Sequence, residues 1–253
     1  MEAPKAKDAA RYGMVIDLDR CNGCGACVVA CAVENNVPPA TERANDRNGI
    51  TWLRVHRVEV PGEARGAFLP MMCQQCGDAP PCVSVCPQNA VEVDPVSGIV
   101  AQIPVRCLGC RYCMVACPYH ARAFNWWDPD WPGRLAETLN PDVSTRTRGV
   151  VEKCTFCSHR LQAAQDRQAA YGAEPGPPEY TPACVEACPA GAIVFGDLDD
   201  PQSEVARLAA EATSFRLLER LGTGPKVYYR TGRDWVRRLV DGGAPTGDGR
   251  THG

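Results

Sequence analysis

The 253-residue chain reads as an α+β fold of two small cysteine-rich units, one inserted into the other, with a C-terminal helical extension. Three observations predict this. Sixteen cysteines fall into four sets of four. Between the second and third sets lies a short alternating segment with a central turn, the pattern of a β-hairpin. Beyond the fourth set, Asp200-Pro201 opens a run with helical apolar spacing.

Composition explains why cysteine has to organise the chain. Although 45% of residues are hydrophobic, only five Phe, five Trp and seven Tyr occur, against 23 Gly and 22 Pro. A chain so rich in turn formers is poorly supplied for a conventional core, and something other than apolar burial must tie its loops together. The formal net charge of −3 offers no footprint for nucleic acid. No run of about eighteen apolar residues occurs, so no direct membrane span is expected. Residues 1–20 hold neither an apolar stretch of signal length nor adjacent arginines. The expectation is a chain that stays in the cytoplasm or is exported bound to a partner.

The first set is Cys21, Cys24, Cys27 and Cys31, spaced C-x2-C-x2-C-x3-C. The second is Cys73, Cys76, Cys82 and Cys86, spaced C-x2-C-x5-C-x3-C and followed by Pro87. Cys107, Cys110, Cys113 and Cys117 repeat the first spacing and precede Pro118. The fourth set is split into Cys154 and Cys157, then Cys184 and Cys188 before Pro189. Disulfides fit poorly, because thiols this crowded cannot pair locally. Zinc uses C-x2-C knuckles in pairs and leaves C-x2-C-x2-C unexplained. Iron–sulfur clusters fit best. Three thiolates at this spacing wrap one cube, and the fourth reaches the neighbouring cluster, as in bacterial two-cluster ferredoxins.

Along the chain, Tyr12 to Leu18 reads as the entering strand of the outer unit and Ala192 to Asp197 as its leaving strand. Val91 and Val93 alternate with charges, Pro95 to Gly98 turns, and Ile99 to Ile103 returns. Ala121 to Trp126 then reads as a closing strand. The predicted boundaries are 11–70 with 150–200 for the outer ferredoxin-like domain and 71–125 for the inserted one. Residues 126–149 form an aromatic, proline-rich connection, and 201–253 a C-terminal helix and extended tail.

Crossed ligation then predicts four groups. Cys21, Cys24 and Cys27 take Cys188; Cys154, Cys157 and Cys184 take Cys31. Cys73, Cys76 and Cys82 take Cys117; Cys107, Cys110 and Cys113 take Cys86. The longer spacing over Gly77 to Pro81 has no explanation at this level. Cys31 lacks a trailing proline, so the first helix is expected to run to about Asn36.

Arg20, Arg106 and Lys153 each precede the first cysteine of a set, and Arg111 lies inside the third. Four oxidised cubanes would add roughly −8 to the formal charge, so these cations either tune potentials or are simply solvated. Phe124 to Pro132 carries three tryptophans, read as a docking surface in preference to a local core. In the extension, Val205, Leu208, Ala212, Phe215 and Leu218 form the stripe of one helix ending at Gly222. From Asp241 the chain is Gly-rich and polar, the composition of a tail that a partner would have to order.

These motifs resemble the four-cluster electron-transfer subunits of complex iron–sulfur molybdoenzymes, such as dimethyl sulfoxide, polysulfide and nitrate reductases. The resemblance is carried by Asp-Leu-Asp-Arg-Cys21, Arg-Gly-Val-Val-Glu-Lys-Cys154-Thr-Phe-Cys157, Ala-Cys188-Pro and Gly196-Asp-Leu-Asp-Asp-Pro201, within residues 12–230. Residues 124–132 and 140–149 look closest to a quinone-linked branch containing menaquinone reductase and alternative complex III. The resemblance implies four [4Fe-4S] clusters, the alternative being three with one [3Fe-4S]. It further implies a molybdopterin-type partner, a polytopic quinone-binding membrane subunit and, in some members, a multihaem cytochrome c. The second and third sets would lie nearer the membrane, on its periplasmic face, with the cytoplasmic face as the alternative.

The function expected is an electron wire with no substrate chemistry on this chain. A catalytic iron–sulfur enzyme would need a C-x3-C-x2-C radical motif, a phosphate loop or a paired catalytic His and carboxylate, and none stands out. His56, His120, His159 and His252 are isolated in sequence and are expected at the surface or behind the ligands. A zinc-stabilised interaction module is the alternative of another class.

Overall fold

The computed structural model describes residues 9–45, 48–59, 66–172 and 176–240. The chain opens with β1 (Tyr12–Asp17), an apolar strand buried along most of its length. The first cysteine loop follows, then α1 (Ala26–Glu34) and the hairpin of β2 (Arg54–Val58) with β3 (Ala67–Met71). α1 ends with Asn35 as its cap, one residue short of the expected limit.

The second loop leads into α2 (Pro81–Ser84), which begins on a proline whose missing N–H costs nothing at a helix start. β4 (Val91–Val93) and β5 (Val100–Gln102) form the expected hairpin, with Val91 opposite Gln102 and Val93 opposite Val100. Its turn is held by Asp94, whose Oδ1 accepts from the Val96 and Ser97 amides and the Ser97 hydroxyl. The third loop precedes α3 (Tyr112–Ala116) and the short β6 (Ala123–Phe124).

β6 pairs antiparallel with β7 (Val151–Glu152), so residues 125–150 are an excursion pinned at both ends. Within it Trp126 meets Phe124 edge-on at 4.7 Å, and Trp131 lines an apolar cavity with Val37, Leu53 and Leu135. Asn36 and Asn140 anchor it reciprocally: Asn36 Nδ2 donates to Asn140 O at 2.8 Å, and Asn140 N donates to Asn36 Oδ1 at 2.8 Å. The aromatic segment thus supplies local packing.

Cys154 and Cys157 precede α4 (Ser158–Tyr171), Cys184 lies in α5 (Ala183–Glu186) with Cys188 just beyond it, and β8 (Ile193–Asp197) closes antiparallel on β1. Met14 faces Phe195 and Ile16 faces Ile193 across that pair.

The extension departs from the expected single helix. α6 is only Glu204–Ala209, and its cap is Ser203, whose Oγ accepts from Ala206 N at 3.1 Å. Asp200 instead closes a turn onto Gln202 N. Ser214 ends the helical path by donating its Oγ to Leu208 O at 2.7 Å. Phe215 then lies in β9 (Ser214–Arg216), a strand antiparallel to β10 (Val227–Arg230). Pairing buries Phe215 beside Tyr229, an apolar contact that outweighs a helical continuation. β10 runs parallel to β1, giving a sheet in the order β8-β1-β10-β9. α7 (Asp234–Val240) ends the described chain, and the expected tail lies outside the described residues.

Ile16, Val227 and Tyr229 are fully buried at the centre of the largest core, which also receives Cys27, Cys31, Cys76, Cys184 and Phe156. Among the described residues no helix is long and apolar enough to cross a membrane.

Candidate iron–sulfur centres

The four cysteine loops share one backbone device. The residue before the second cysteine is left-handed in every set: Gly23 (φ 73°), Gln75 (48°), Gly109 (75°) and Phe156 (55°). A second left-handed residue stands three positions after the fourth cysteine of the last three sets, at Asn89, His120 and Gly191. These turns reverse the chain tightly beside the second cysteine of each set and, in the last three, just past the fourth. Glycine suits the first position without strain. At Gly109 it is also required by space, because a Cβ there would run into the Gly149 carbonyl.

The fold brings thiols from distant sets together. Cys21, Cys24 and Cys188 surround Cys27, while Cys154, Cys184 and Cys157 surround Cys31. Cys73, Cys82 and Cys117 surround Cys76, and these four line one small cavity. Cys86, Cys107 and Cys113 share a second apolar core with Val91, Val100 and Val151, and Cys82 of the neighbouring gathering is buried in it as well. Cys110 stands exposed at its edge, and the structure does not bring it into that core.

All sixteen cysteines are free thiols. Burial first, and the neighbouring sulfurs second, push Cys27 up to about 11 and Cys76 up to about 12. Thiols so arranged do not ionise at neutral pH unless a cation draws off the proton, and iron supplies that charge. Among the described residues no three Cys, His, Asp or Glu side chains are close enough to hold one metal ion. Four thiols to a group are the donor set of a cubane cluster.

Hydrogen-bond donors already point at sulfur. Ala90 N donates to Cys86 Sγ at 3.2 Å, and Ala192 N to Cys188 Sγ at 3.3 Å, the same step in two sets. Phe156 N reaches Cys154 Sγ at 3.4 Å and Val151 N reaches Cys107 Sγ at 3.5 Å. Asn35 Nδ2 lies 3.8 Å from both Cys31 and Cys157 Sγ. Such donors stabilise the more negative, reduced state and raise its potential.

The basic residues flanking the sets divide between the two readings. Lys153 is buried, its Nζ donating to Val100 O and, at 2.9 Å, to Cys154 O. Arg106 is solvated and paired with Glu92 at 3.2 Å, and Arg20 is exposed. Arg111 takes the left-handed position before α3 and lies over Phe124 and Trp126. His159 meets Glu34 at 2.7 Å. His56 and His120 are exposed, and His252 lies outside the described residues.

Three residues that sequence spacing missed stand at the sulfurs. Arg122 is buried beside Cys82 and Cys113. Thr223 and Lys226 approach Cys76 and Cys73 from the C-terminal extension. The same segment explains the longer second loop: Gly77 N donates to Gly224 O at 2.7 Å, and Lys226 N to Gln74 O at 2.9 Å. The extra residues of that loop are its contact with residues 222–226. Only tertiary pairing could have revealed this.

Two family models, both described as a 4Fe-4S dicluster domain, match residues 20–91 and 64–131. The first spans the first and second sets in chain order, whereas the thiols of the first set gather with those of the fourth. The geometry is the more direct guide to neighbours, since a linear match carries no distances. The chain is 52% identical to the menaquinone reductase iron–sulfur cluster-binding subunit of Nitratidesulfovibrio vulgaris, covering 91% of this chain and 92% of that protein. It is 42% identical to a putative dimethyl sulfoxide reductase iron–sulfur subunit of Halobacterium salinarum, over 91% and 84%. Identity to the Hdr-like menaquinol oxidoreductase iron–sulfur subunit 1 of Archaeoglobus fulgidus is 39%, over 90% and 87%. With sixteen cysteines and two dicluster matches for four [4Fe-4S] clusters, the chain belongs to the family of iron–sulfur electron-transfer subunits of oxidoreductase complexes.

Proposed function

We propose that this chain is the electron-transfer subunit of a menaquinone reductase-type respiratory complex. The observation that carries the reading is similarity along nearly the whole of both chains to the menaquinone reductase subunit. When bound, each [4Fe-4S] cluster accepts and passes on one electron; this chain's own work is to hold, insulate and tune the clusters. The ligand groups are Cys21, Cys24, Cys27 with Cys188; Cys31 with Cys154, Cys157, Cys184; Cys73, Cys76, Cys82 with Cys117; and Cys86 with Cys107, Cys110, Cys113. The 71–125 unit is read as inserted into the unit formed by the chain's two ends.

On the partner side, the reading is a molybdopterin-type or cytochrome c subunit at one end and a polytopic quinone-reactive subunit at the other. The third set supports the second assignment. Around exposed Cys110, Val105 is 93% and Val115 82% exposed, with Leu108 and Tyr112 also largely open. Large apolar side chains grouped at a cluster ligand suit a partner surface. From the resemblance to the quinone-linked branch, the periplasmic face of the membrane is the side we read for the complex.

Iron, sulfide and zinc analysis of the anaerobically purified complex, with an EPR-monitored redox titration, tests this. About sixteen irons assignable to this chain and reoxidation of its clusters by a naphthoquinone are expected. About fifteen irons, with a signal in the oxidised state, would replace one cubane by a three-iron cluster. Zinc with little iron would sink the electron-transfer reading.

A further inference from the structure

Two arginines, Arg122 and Arg146, are each only 7% exposed, and the fold treats them in opposite ways. Arg146 meets the carboxylate of Glu152 at 3.1 Å. Arg122 has no carboxylate partner among the described residues. Its Nη1 donates to the neutral Gln102 Oε1 at 2.8 Å, and its Nη2 makes no hydrogen bond. A buried guanidinium left in this way is costly unless negative charge faces it.

What faces it is sulfur. Arg122 lines the same cavity as Cys73, Cys76, Cys82 and Cys117. Its guanidinium lies beside the thiols of Cys82, Cys113 and Cys73, and is the main charge opposite Cys113. Cys82 and Cys113 belong to different ligand groups in the assignment proposed above, on which this inference rests. One cation therefore stands beside thiols of two neighbouring groups.

We infer that Arg122, steadied by Gln102, is a shared positioning charge that raises the reduction potentials of both clusters held by the second and third cysteine sets. No bond forms or breaks: one electron arrives, the site gains one negative charge, and the fixed cation meets it without a proton moving. Arginine suits this role because it does not deprotonate in proteins. Held beside both sites, its charge also offsets the repulsion that a first added electron exerts on a second.

An EPR-monitored redox titration of the intact complex tests this with Arg122→Gln, Arg122→Lys and Gln102→Glu. In R122Q two of the four midpoints should fall, each by about tenfold in the reduction equilibrium, or about 59 mV for one electron, while the other two hold. R122K keeps the charge and should restore most of the shift. Q102E places a carboxylate against Arg122 and should lower the same two midpoints, although it also loses the Gln102 Nε2 bond to Ala90 O. If R122Q fails to load iron, Q102E decides alone. Unchanged midpoints, four midpoints moving together, or R122K shifting as far as R122Q would overturn the inference.

Cys82→Ser and Cys113→Ser separate this from the ligand assignment. They should alter two different clusters. If both alter the same one, the assignment fails, and Arg122 is judged by whether that cluster moves in R122Q. If they alter two clusters that both keep their midpoints in R122Q, the assignment stands and the role of Arg122 falls.

Discussion

Trp52 donates its indole N–H to Glu152 Oε2 at 2.8 Å, joining residues 100 positions apart. Glu152 is buried and also accepts from Arg146 Nε at 3.1 Å and from Asn125 Nδ2. One carboxylate thus ties the approach to β2, the excursion after β6 and strand β7. Glu152→Ala strands Arg146 without its counter-charge and should cost about 3–5 kcal/mol. Glu152→Gln keeps an acceptor and should cost less, about 1–3 kcal/mol. Thermal unfolding of the loaded protein checks both, and equal midpoints for E152A and wild type would contradict the network.

Cys110 is an exposed proposed ligand with no core around it. Cys110→Ser should disturb one cluster, lower total iron by at most about a quarter, and leave the other three signals in place. Quinone-linked turnover should collapse. Full turnover in this variant would rule out a linear wire through the third set.

Gly109 combines φ +75° with a close approach to the Gly149 carbonyl. Gly109→Ala pays for a left-handed alanine, about 1–2 kcal/mol, and must also push the loop away from residue 149. The expected result is a shifted EPR signal from one cluster and earlier loss of its iron on warming. Gly25→Ala, with no atom near its added Cβ, should show the conformational cost alone.

Glu34 supplies the pH dependence. Arg160 donates Nε to Oε1 at 2.5 Å and Nη2 to Oε2 at 2.7 Å, and with His159 this outweighs burial and holds the carboxyl down at about 2, against 4.5 ordinarily. A depressed carboxylate adds stability above its ordinary value and loses that contribution as pH falls toward the depressed one. The thermal-midpoint gap between wild type and Glu34→Gln should therefore not narrow between about pH 8 and about pH 5.5, and should do so only on further acidification. A gap that closes between those two values would show that the Glu34–Arg160 contact is not its source.

Val115 is 82% exposed beside the third set. Val115→Glu should weaken, about tenfold to a hundredfold, association with a quinone-reactive membrane partner. The chain would be released from washed membranes with its four signals intact. Unchanged retention would move the docking surface elsewhere.

The cysteine sets, the β4–β5 hairpin and the existence of strands β1 and β8 were legible because each is a local pattern of spacing, alternation or turn residues, whereas the antiparallel pairing of β8 with β1 joins distant segments and was not. The extension was not. Val205, Leu208, Ala212, Phe215 and Leu218 keep helical spacing, yet Phe215 gains more by lying beside Tyr229 in a strand pair. Arg122 gave no signal either, since its role depends on Gln102 and thiols that only the fold assembles. Lys153 was visible by position, but its burial was not.

The parallel pairing of β10 with β1 places a condition on synthesis. Asp17 leaves the ribosome 213 positions ahead of Arg230, which donates to its carboxylate at 2.6 Å. A nascent chain lacking that stretch holds β1 with one flank bare, and it also lacks the Thr223 and Lys226 contacts to the second cysteine loop. Maturation factors therefore meet a finished cage around Cys73 and Cys76 only after residues 222–230 have emerged, and a product truncated before them is born with that cage open.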